Sequence, residues 1–189
     1  MALNTRRGAF RDSRVRQAIN HAVDVDAILR TIVAGRGVRA RGSVPPTLPG
    51  GDTSRQGYAF DPATARRLLT EAGYTNGVDL KLWRSGSNVV LGRVAQAIQS
   101  DLTAVGIRGG LVQRDAASQR EAARKGEADM AILDWWADYP DAENFLAPLF
   151  HSANHGPGGN YAFFTDPVTD SLLDQAQRTL DEAARTALY

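Results

Sequence analysis

The sequence contains no cysteine and only two lysines, Lys81 and Lys125, among its 189 residues. The absence of cysteine excludes disulfide bonds, thiolate catalysis and zinc sites built on cysteine. It does not identify a cellular compartment, because many exported proteins also lack disulfides. The remaining 20 basic side chains are arginines, a bias that we attribute to genome composition rather than to mechanism.

Long hydrophobic runs are also missing. No apolar run approaches the roughly 18 residues that indicate a membrane span, and the first ten residues, MALNTRRGAF, lack the apolar region of a signal peptide. We therefore expect either a cytosolic protein or one whose export signal lies outside this sequence. The length and the ordinary globular composition favour one domain with a good core, or one domain with a loosely attached arm.

The net charge of +1 conceals an uneven distribution of charge. Residues 1–41 carry nine arginines against three aspartates, and residues 127–189 carry eleven acidic residues against two arginines. Two solvated faces explain this pattern, and an acidic end that attracts cations is the alternative. Salt screens either field over about 8 Å at physiological ionic strength.

Alternating strands and helices are predicted between residues 78 and 136. Period-two and apolar runs indicate strands at 78–83, 107–114 and 129–136, with helices at 88–106 and 115–128 between them, the second polar and exposed. Two βαβ units with right-handed crossovers give a mainly parallel sheet with helices packed on it. Further helices are predicted at 13–23, 24–35, 61–73, 141–150, 166–180 and 181–189. Asp24, Asp61 and Asp166 are the predicted N-caps, and Gly35 is the predicted end of the second of these helices. A long loop is predicted at 35–57.

The run AILDWWADYPD, residues 131–141, follows the third predicted strand. Ligands of parallel α/β sheets bind beyond the carboxyl ends of the strands, so we expect a cleft here. Trp135 and Trp136 point to opposite faces of an extended chain, one into the core and one along a surface. A tryptophan beside a carboxylate suits a ligand with a cationic amine and an apolar body. On spacing alone, a core tryptophan followed by a turn-forming aspartate is the favoured interpretation.

Other candidate sites are weaker. His151 and His155 have the spacing of a helical metal pair, but glycines and a proline follow at once, so we expect solvated loop histidines. Asp138 and Asp141 could form an acid–base pair, but Pro140 between them favours Asp141 as a helix cap. The basic loop at 35–42 lacks any nucleic-acid-binding signature, and no serine nucleophile motif occurs. We expect no catalytic residue, metal site or cofactor, and no enzyme activity.

Five blocks together cover nearly the whole chain: FRDSRVRQAINHAVDVDAILRTIVAGRG, AFDPATARRLLTEAGYTNGVDLKL, VAQAIQSDLTAVGI, DWWADYPDAENFLAPLFHS and GGNYAFFTDPVTDSLLDQAQRTLDEAARTALY. All five resemble one family, the family-5 extracellular solute-binding proteins of bacterial ABC importers, which include dipeptide, oligopeptide and nickel receptors. The resemblance implies an α/β fold, a single lobe of the type II periplasmic-binding-protein kind.

The resemblance also implies a domain organisation. Members of the family are two-lobed clamshells, and residues 1–189 resemble the second lobe only. We therefore expect the first lobe, the C-terminal segment and the signal peptide to be absent from this sequence. The full-length protein is then expected in the periplasm or outside the cell, with the permease subunits of an ABC importer as partners and no nucleic acid or membrane span.

In peptide-binding members an aspartate of a W-x-x-D element receives the ligand's amino group. Trp135 and Asp138 match that element, which implies that Asp138 binds the amine and Trp135 forms a wall of the pocket. We include the neighbouring aromatic residues Trp136 and Tyr139 in the expected binding surface. Many members have glycine where this chain has Asp134, which either reinforces selection of cations or faces away.

The function implied by the resemblance is binding of small peptides or similar amine-bearing solutes for delivery to a permease. Receptors for a metal chelate or a glycoside, and a sensory interaction module, remain alternatives.

Overall fold

The computed structural model describes residues 1–52, 54–86 and 88–189. The predicted loop at 35–57 contains no helix or strand in its described part, and its residue 53 lies outside the described ranges. The helices are α1 (Ser13–Ala22), α2 (Val25–Thr31), α3 (Pro62–Glu71), α4 (Val89–Ala104), α5 (Ala116–Arg124), α6 (Glu143–Phe150), α7 (Pro167–Arg178) and α8 (Glu182–Leu188). The strands are β1 (Ala2–Leu3), β2 (Val78–Asp79), β3 (Leu82–Ser85), β4 (Ile107–Arg108), β5 (Leu111–Arg114) and β6 (Met130–Ala131). Short 3₁₀ turns occupy Gly8–Arg11, Ser152–Asn154 and Gly156–Gly158.

The larger sheet has the strand order β1-β6-β3-β5. Strand β3 pairs in parallel with both β5 and β6, and helices α4 and α5 connect these strands in sequence. The two predicted βαβ units and the mainly parallel sheet are therefore confirmed. Strand β1, which pairs antiparallel with β6, was not predicted because it contains only two residues.

The first two predicted strands are each divided in two. Strands β2 and β4 form a separate parallel pair, and β3 and β5 continue in the larger sheet. The division falls at Gly109, where a Cβ atom would lie 1.6 Å from the carbonyl oxygen of Leu80. This close backbone approach at φ 157° requires glycine, and it lies between the β2–β4 pair and the β3–β5 pair.

The third predicted strand is much shorter than expected. Regular pairing stops at Ala131, although the N–H of Ile132 still donates to the carbonyl of Trp83 at 2.9 Å. The residues from 132 to 137 are irregular. The two tryptophans of the WWADY segment, residues 135–139, therefore lie in an irregular part of the chain and not on a strand.

Backbone contacts divide the chain into two compact units. The first unit comprises Met1–Arg39 with Tyr58–Leu133, and the second comprises Ala40–Gly57 with Asp134–Tyr189. The first unit contains both sheets, and the second contains α6, α7 and α8. That the whole chain forms one lobe of a larger receptor stays a prediction.

The main core of the first unit contains buried side chains from α1, α2, α3 and α4 and from the strands. Helix α4 contributes the buried side chains of Ile98 and Leu102 to this core. Helix α5 was predicted to be exposed, but one side of it is covered, because Gln119, Ala122 and Ala123 are buried. Ala122 of this helix belongs to a second, smaller core cluster with Trp83 of β3. The largest fully buried apolar side chains of the main core are Phe10, Ile19, Leu69, Met130 and Val15.

The three predicted N-caps are confirmed. The carboxylate of Asp24 accepts the N–H of Ala27 at 2.8 Å, and those of Asp61 and Asp166 cap α3 and α7 in the same manner. Each cap satisfies backbone donors that the first turn of a helix leaves unpaired. Helix α2 ends at Thr31, four residues before the predicted stop at Gly35.

None of the helices in the described ranges is long and apolar enough to cross a lipid bilayer.

We expect Leu102→Ala to lower the free energy of unfolding by about 2–3 kcal/mol. Leu102 is only 3% exposed, but it lies in the last turn of α4, where neighbours relax more easily than in mid-helix. Urea unfolding followed by far-UV circular dichroism measures the loss. Leu180→Ala is the matched control, because Leu180 is 97% exposed and its truncation should change stability by less than about 0.5 kcal/mol. A loss at Leu102 no larger than that of the control would contradict the assignment of this helix face to the core.

Candidate ligand-binding site

Asp138 presents an available carboxylate. The residue is exposed, and its backbone N–H donates to the side-chain oxygen of Asn144 at 2.8 Å. Within residues 1–52, 54–86 and 88–189, its carboxylate has no hydrogen-bond or ion-pair partner. The backbone at this position is therefore held, while the charged group remains accessible to an external cation.

Trp135 is fixed by a hydrogen bond and by close packing. Its Nε1–H donates to the backbone carbonyl of Asn144 at 2.8 Å, and the side chain is half-buried. A Cβ atom at Gly159 would lie 3.3 Å from the Cη2 and Cζ3 atoms of the indole. The positive φ of 117° at Gly159 also favours glycine, so the loop can approach the ring edge closely.

Trp136 is 80% exposed, in contrast to its neighbour. Its Nε1–H donates to a carboxylate oxygen of Asp134 at 3.3 Å, and Asp134 is exposed as well. Trp135 is thus half-buried and Trp136 exposed, but neither tryptophan lies in a core cluster, contrary to the expectation that one would. The side chain of Asp134 lies beside the exposed indole and does not point into a core.

Tyr139 adds a second exposed aromatic ring, with 48% of its surface accessible. Its hydroxyl donates to the carboxylate of Glu143, and this hydrogen bond raises the pKa of Tyr139 above its usual value. The other carboxylate oxygen of Glu143 accepts from Gln177 Nε2 at 3.0 Å. The ring is thus tethered to α6 and α7 and keeps its proton at neutral pH.

Asp141 does not form an acid–base pair with Asp138. Its carboxylate accepts the N–H of Glu143 at 2.9 Å, pairs with Arg185 at 3.0 Å and contacts the hydroxyl of Tyr189 at 3.3 Å. Asp141 does accept a backbone N–H at the start of α6, as predicted. It lies one residue before the N-cap position, which Ala142 occupies. A carboxylate engaged in this way is unsuited to exchange protons with a substrate.

A cavity of about 210 Å³ lies in the second unit beside Asp141. Tyr189 is in its wall, and burial, followed by the charge of Asp141, raises the pKa of that tyrosine to about 12. Asp138 does not line this cavity, so the cavity and the available carboxylate are separate features. The lining residues are Pro49, Pro140, Asp141, Ala142, Glu182, Arg185, Thr186 and Tyr189.

The two histidines do not share a helix and are less solvated than expected. His151 ends α6, with Nδ1 accepting the N–H of Ala153 at 3.1 Å and Nε2 lying 3.3 Å from Asp174. His155 Nε2 lies 2.8 Å from the carbonyl oxygen of Phe164. Their ring nitrogens therefore serve local structure. The described part of the chain contains no cluster of three or more histidine and acidic side chains that could hold a metal ion.

The structure assigns importance to Asn144, which the sequence analysis did not single out. Asn144 is only 5% exposed and contacts both Trp135 and Asp138. A signal for it was present, because an amide side chain stands directly before the apolar run FLAPLF in a short helix. Buried polar groups of this kind are almost always hydrogen-bonded, so a specific partner was to be expected.

Comparison with known proteins identifies the family. Residues 1–157 match the family described as "Bacterial extracellular solute-binding proteins, family 5 Middle". The chain therefore belongs to this family, which comprises solute-binding proteins and not enzymes. It is 36% identical to heme-binding protein A of Haemophilus influenzae and 33% identical to the dipeptide-binding protein of Escherichia coli. Both alignments cover 100% of this chain but only 35% and 36%, respectively, of those proteins.

Solved structures show the same fold. HbpA2 from Haemophilus parasuis superposes with a TM-score of 0.95 at 34% identity, covering 100% of this chain and 38% of that one. The dipeptide-binding protein from Pseudoalteromonas sp. SM9913, solved with Met-Leu, gives a TM-score of 0.93 at 34% identity with the same coverage. The fold is that of a type II periplasmic binding protein, α/β with a mainly parallel sheet. The chain spans somewhat more than a third of the length of these relatives.

Proposed function

We propose that residues 1–189 form one lobe of the solute-binding receptor of an ABC importer, and that the receptor binds small peptides or similar amine-bearing solutes. The receptor works in the periplasm or outside the cell and delivers its ligand to permease subunits. Family membership supports the general role. The observation that carries the choice of ligand is the exposed carboxylate of Asp138, which has no partner among the described residues and follows the fixed indole of Trp135 closely in sequence.

The chemistry of the site favours an ammonium group. A carboxylate that is free of internal partners forms charge-assisted hydrogen bonds with an α-amino group, and these are roughly twice as strong as neutral ones. Exposed aromatic rings at Trp136 and Tyr139 supply apolar surface and attract cations through their π faces, for about 0.5–2 kcal/mol. Asp134 adds negative potential beside the ring of Trp136.

Relatives named for other ligands define the alternatives. One is named a heme-binding protein, and the structure of NikA from Brucella suis, 32% identical with a TM-score of 0.83, contains Fe(III)-EDTA. A receptor for such a chelate would not require a free carboxylate for an amine. The available charge of Asp138 therefore favours the peptide over the chelate, and a glycoside ligand or a sensory partner has no specific contact to support it.

Isothermal titration calorimetry on the receptor that contains this chain tests the proposal. The probes are a dipeptide with a free amino terminus and the same dipeptide after N-acetylation, with Fe(III)-EDTA and heme as comparators. We expect saturable binding of the free dipeptide and at least about tenfold weaker binding of the acetylated one, because acetylation removes the charge that pairs with Asp138. Equal affinity for both dipeptides, or saturable heats from a chelate alone, would overturn the proposal.

A further inference from the structure

We infer that Asn144 is a positioning residue for the amine-binding site: it holds Trp135 and Asp138 in one fixed arrangement. Its side-chain oxygen accepts the backbone N–H of Asp138, and its backbone carbonyl accepts the indole N–H of Trp135, both at 2.8 Å. This inference rests on the proposed function, because it assigns a role toward the same ligand.

The two contacts act on both ends of the W-x-x-D element. The bond to the Asp138 N–H fixes the peptide from which that carboxylate projects, and the bond to the indole fixes the plane of Trp135. Asn144 itself is firmly placed, since it lies in the first turn of α6, is 5% exposed and donates its own N–H to the carbonyl of Asp141 at 3.2 Å. One buried residue therefore connects the irregular segment to a helix.

This arrangement bears on affinity through preorganisation. Residues 132–140 form no helix or strand, so the segment has few regular hydrogen bonds to restrain it. When a ligand binds to a loose segment, the segment must become ordered, and this ordering reduces the free energy of binding. A segment that is already fixed avoids that loss. Asn144 touches no ligand in this account and acts only through the direction in which Asp138 and Trp135 project.

Asn144→Ala in the full receptor tests the inference. The variant removes the bond to the Asp138 N–H and the side-chain contact with Tyr139, and it leaves the backbone contact with Trp135. Asp138 is exposed, so water can replace the lost acceptor and the protein should still fold. The readout is the ratio of affinities for the free and the N-acetylated dipeptide. We expect that ratio to fall by about 3- to 10-fold, the effect of one neutral hydrogen bond, while the acetylated dipeptide loses little affinity.

Asn160→Ala is the matched control. Asn160 is a fully buried asparagine of the same unit, and its amide binds the carbonyls of His151 and Phe164 and the N–H of Phe164. Its loss should lower thermal stability without changing the ratio for the folded protein. A ratio lowered equally by both variants would mean that Asn144 has only a general structural role and would overturn the inference.

Two further variants separate the possible failures. With Asp138→Asn already in place, Asn144→Ala should have no further effect on the ratio, and an undiminished effect would contradict positioning through Asp138. If Asp138→Asn alone leaves the ratio unchanged, the proposed function itself fails. Should Asn144→Ala not fold, Asn144→Asp retains the acceptor oxygen and should keep the ratio at or above that of the unmodified receptor. A reduced ratio in folded Asn144→Asp would overturn the inference.

Discussion

Asp138→Asn is expected to weaken binding of amine-bearing peptides to the full receptor by about 2–5 kcal/mol, the usual effect of removing one partner of a desolvated charge pair. The amide is nearly isosteric with the carboxylate but cannot neutralise an ammonium group. In a closed receptor the ligand's charge would then be buried without its counterion. Calorimetry with a dipeptide that has a free amino terminus measures the loss.

Two controls accompany this variant. The thermal unfolding midpoint should not change, because the carboxylate of Asp138 is exposed and no other described side chain depends on it. Asp134→Asn should cost much less affinity, since the carboxylate of Asp134 is already shared with the indole N–H of Trp136. Unchanged affinity in Asp138→Asn, or a larger loss in Asp134→Asn, would show that the amine is received elsewhere.

Local signals predicted the helices well. Asp61 followed by Pro62 marks the beginning of α3, and Asp166 followed by Pro167 marks that of α7. The aspartate accepts backbone N–H groups that the first turn leaves unpaired, and the proline has no N–H that needs a partner. Such signals require only neighbours in sequence. For the same reason the alternation of strands and helices was sufficient to predict the parallel sheet.

Strand boundaries depended on contacts that the local pattern does not contain. The third strand was predicted at 129–136, but its pairing with β3 stops at Ala131. Gly109 offered a clue, yet its approach to the backbone of Leu80 is a contact between segments far apart in sequence. Edge pairing by two residues of β1 leaves no periodicity to detect.

Residue type and position were sufficient to predict the residues of the candidate site, but the contacts that support these residues were not predicted. A carboxylate next to tryptophan was sufficient to select Asp138 and Trp135. The roles of Asn144 and Gly159 depend on how α6 and the loop after it return toward the WWADY segment, and a sequence without its fold does not show that return. Glu143, which tethers Tyr139, was missed for the same reason.

The chain of 189 residues on its own is expected to bind such peptides with a dissociation constant of about 1 mM or weaker. Here Asp138 faces solvent, and an exposed ion pair contributes only about 0–1 kcal/mol. The exposed rings of Trp136 and Tyr139 can cover one side of a ligand, and in the proposed receptor a second lobe covers the other. Loss of translational and rotational freedom still opposes binding by about 4 kcal/mol or more.

The comparison that checks this expectation is calorimetry with one free dipeptide on the 189-residue chain and on the full receptor. We expect at least about a thousandfold difference in affinity, if the receptor binds in the micromolar range. The chain must be shown to be folded by circular dichroism, and Asp138→Asn in the isolated chain should change its weak binding very little, since a solvated pair contributes so little. Micromolar affinity of residues 1–189 alone would mean that the complete site lies within this chain, and the proposed need for a second lobe would then be wrong.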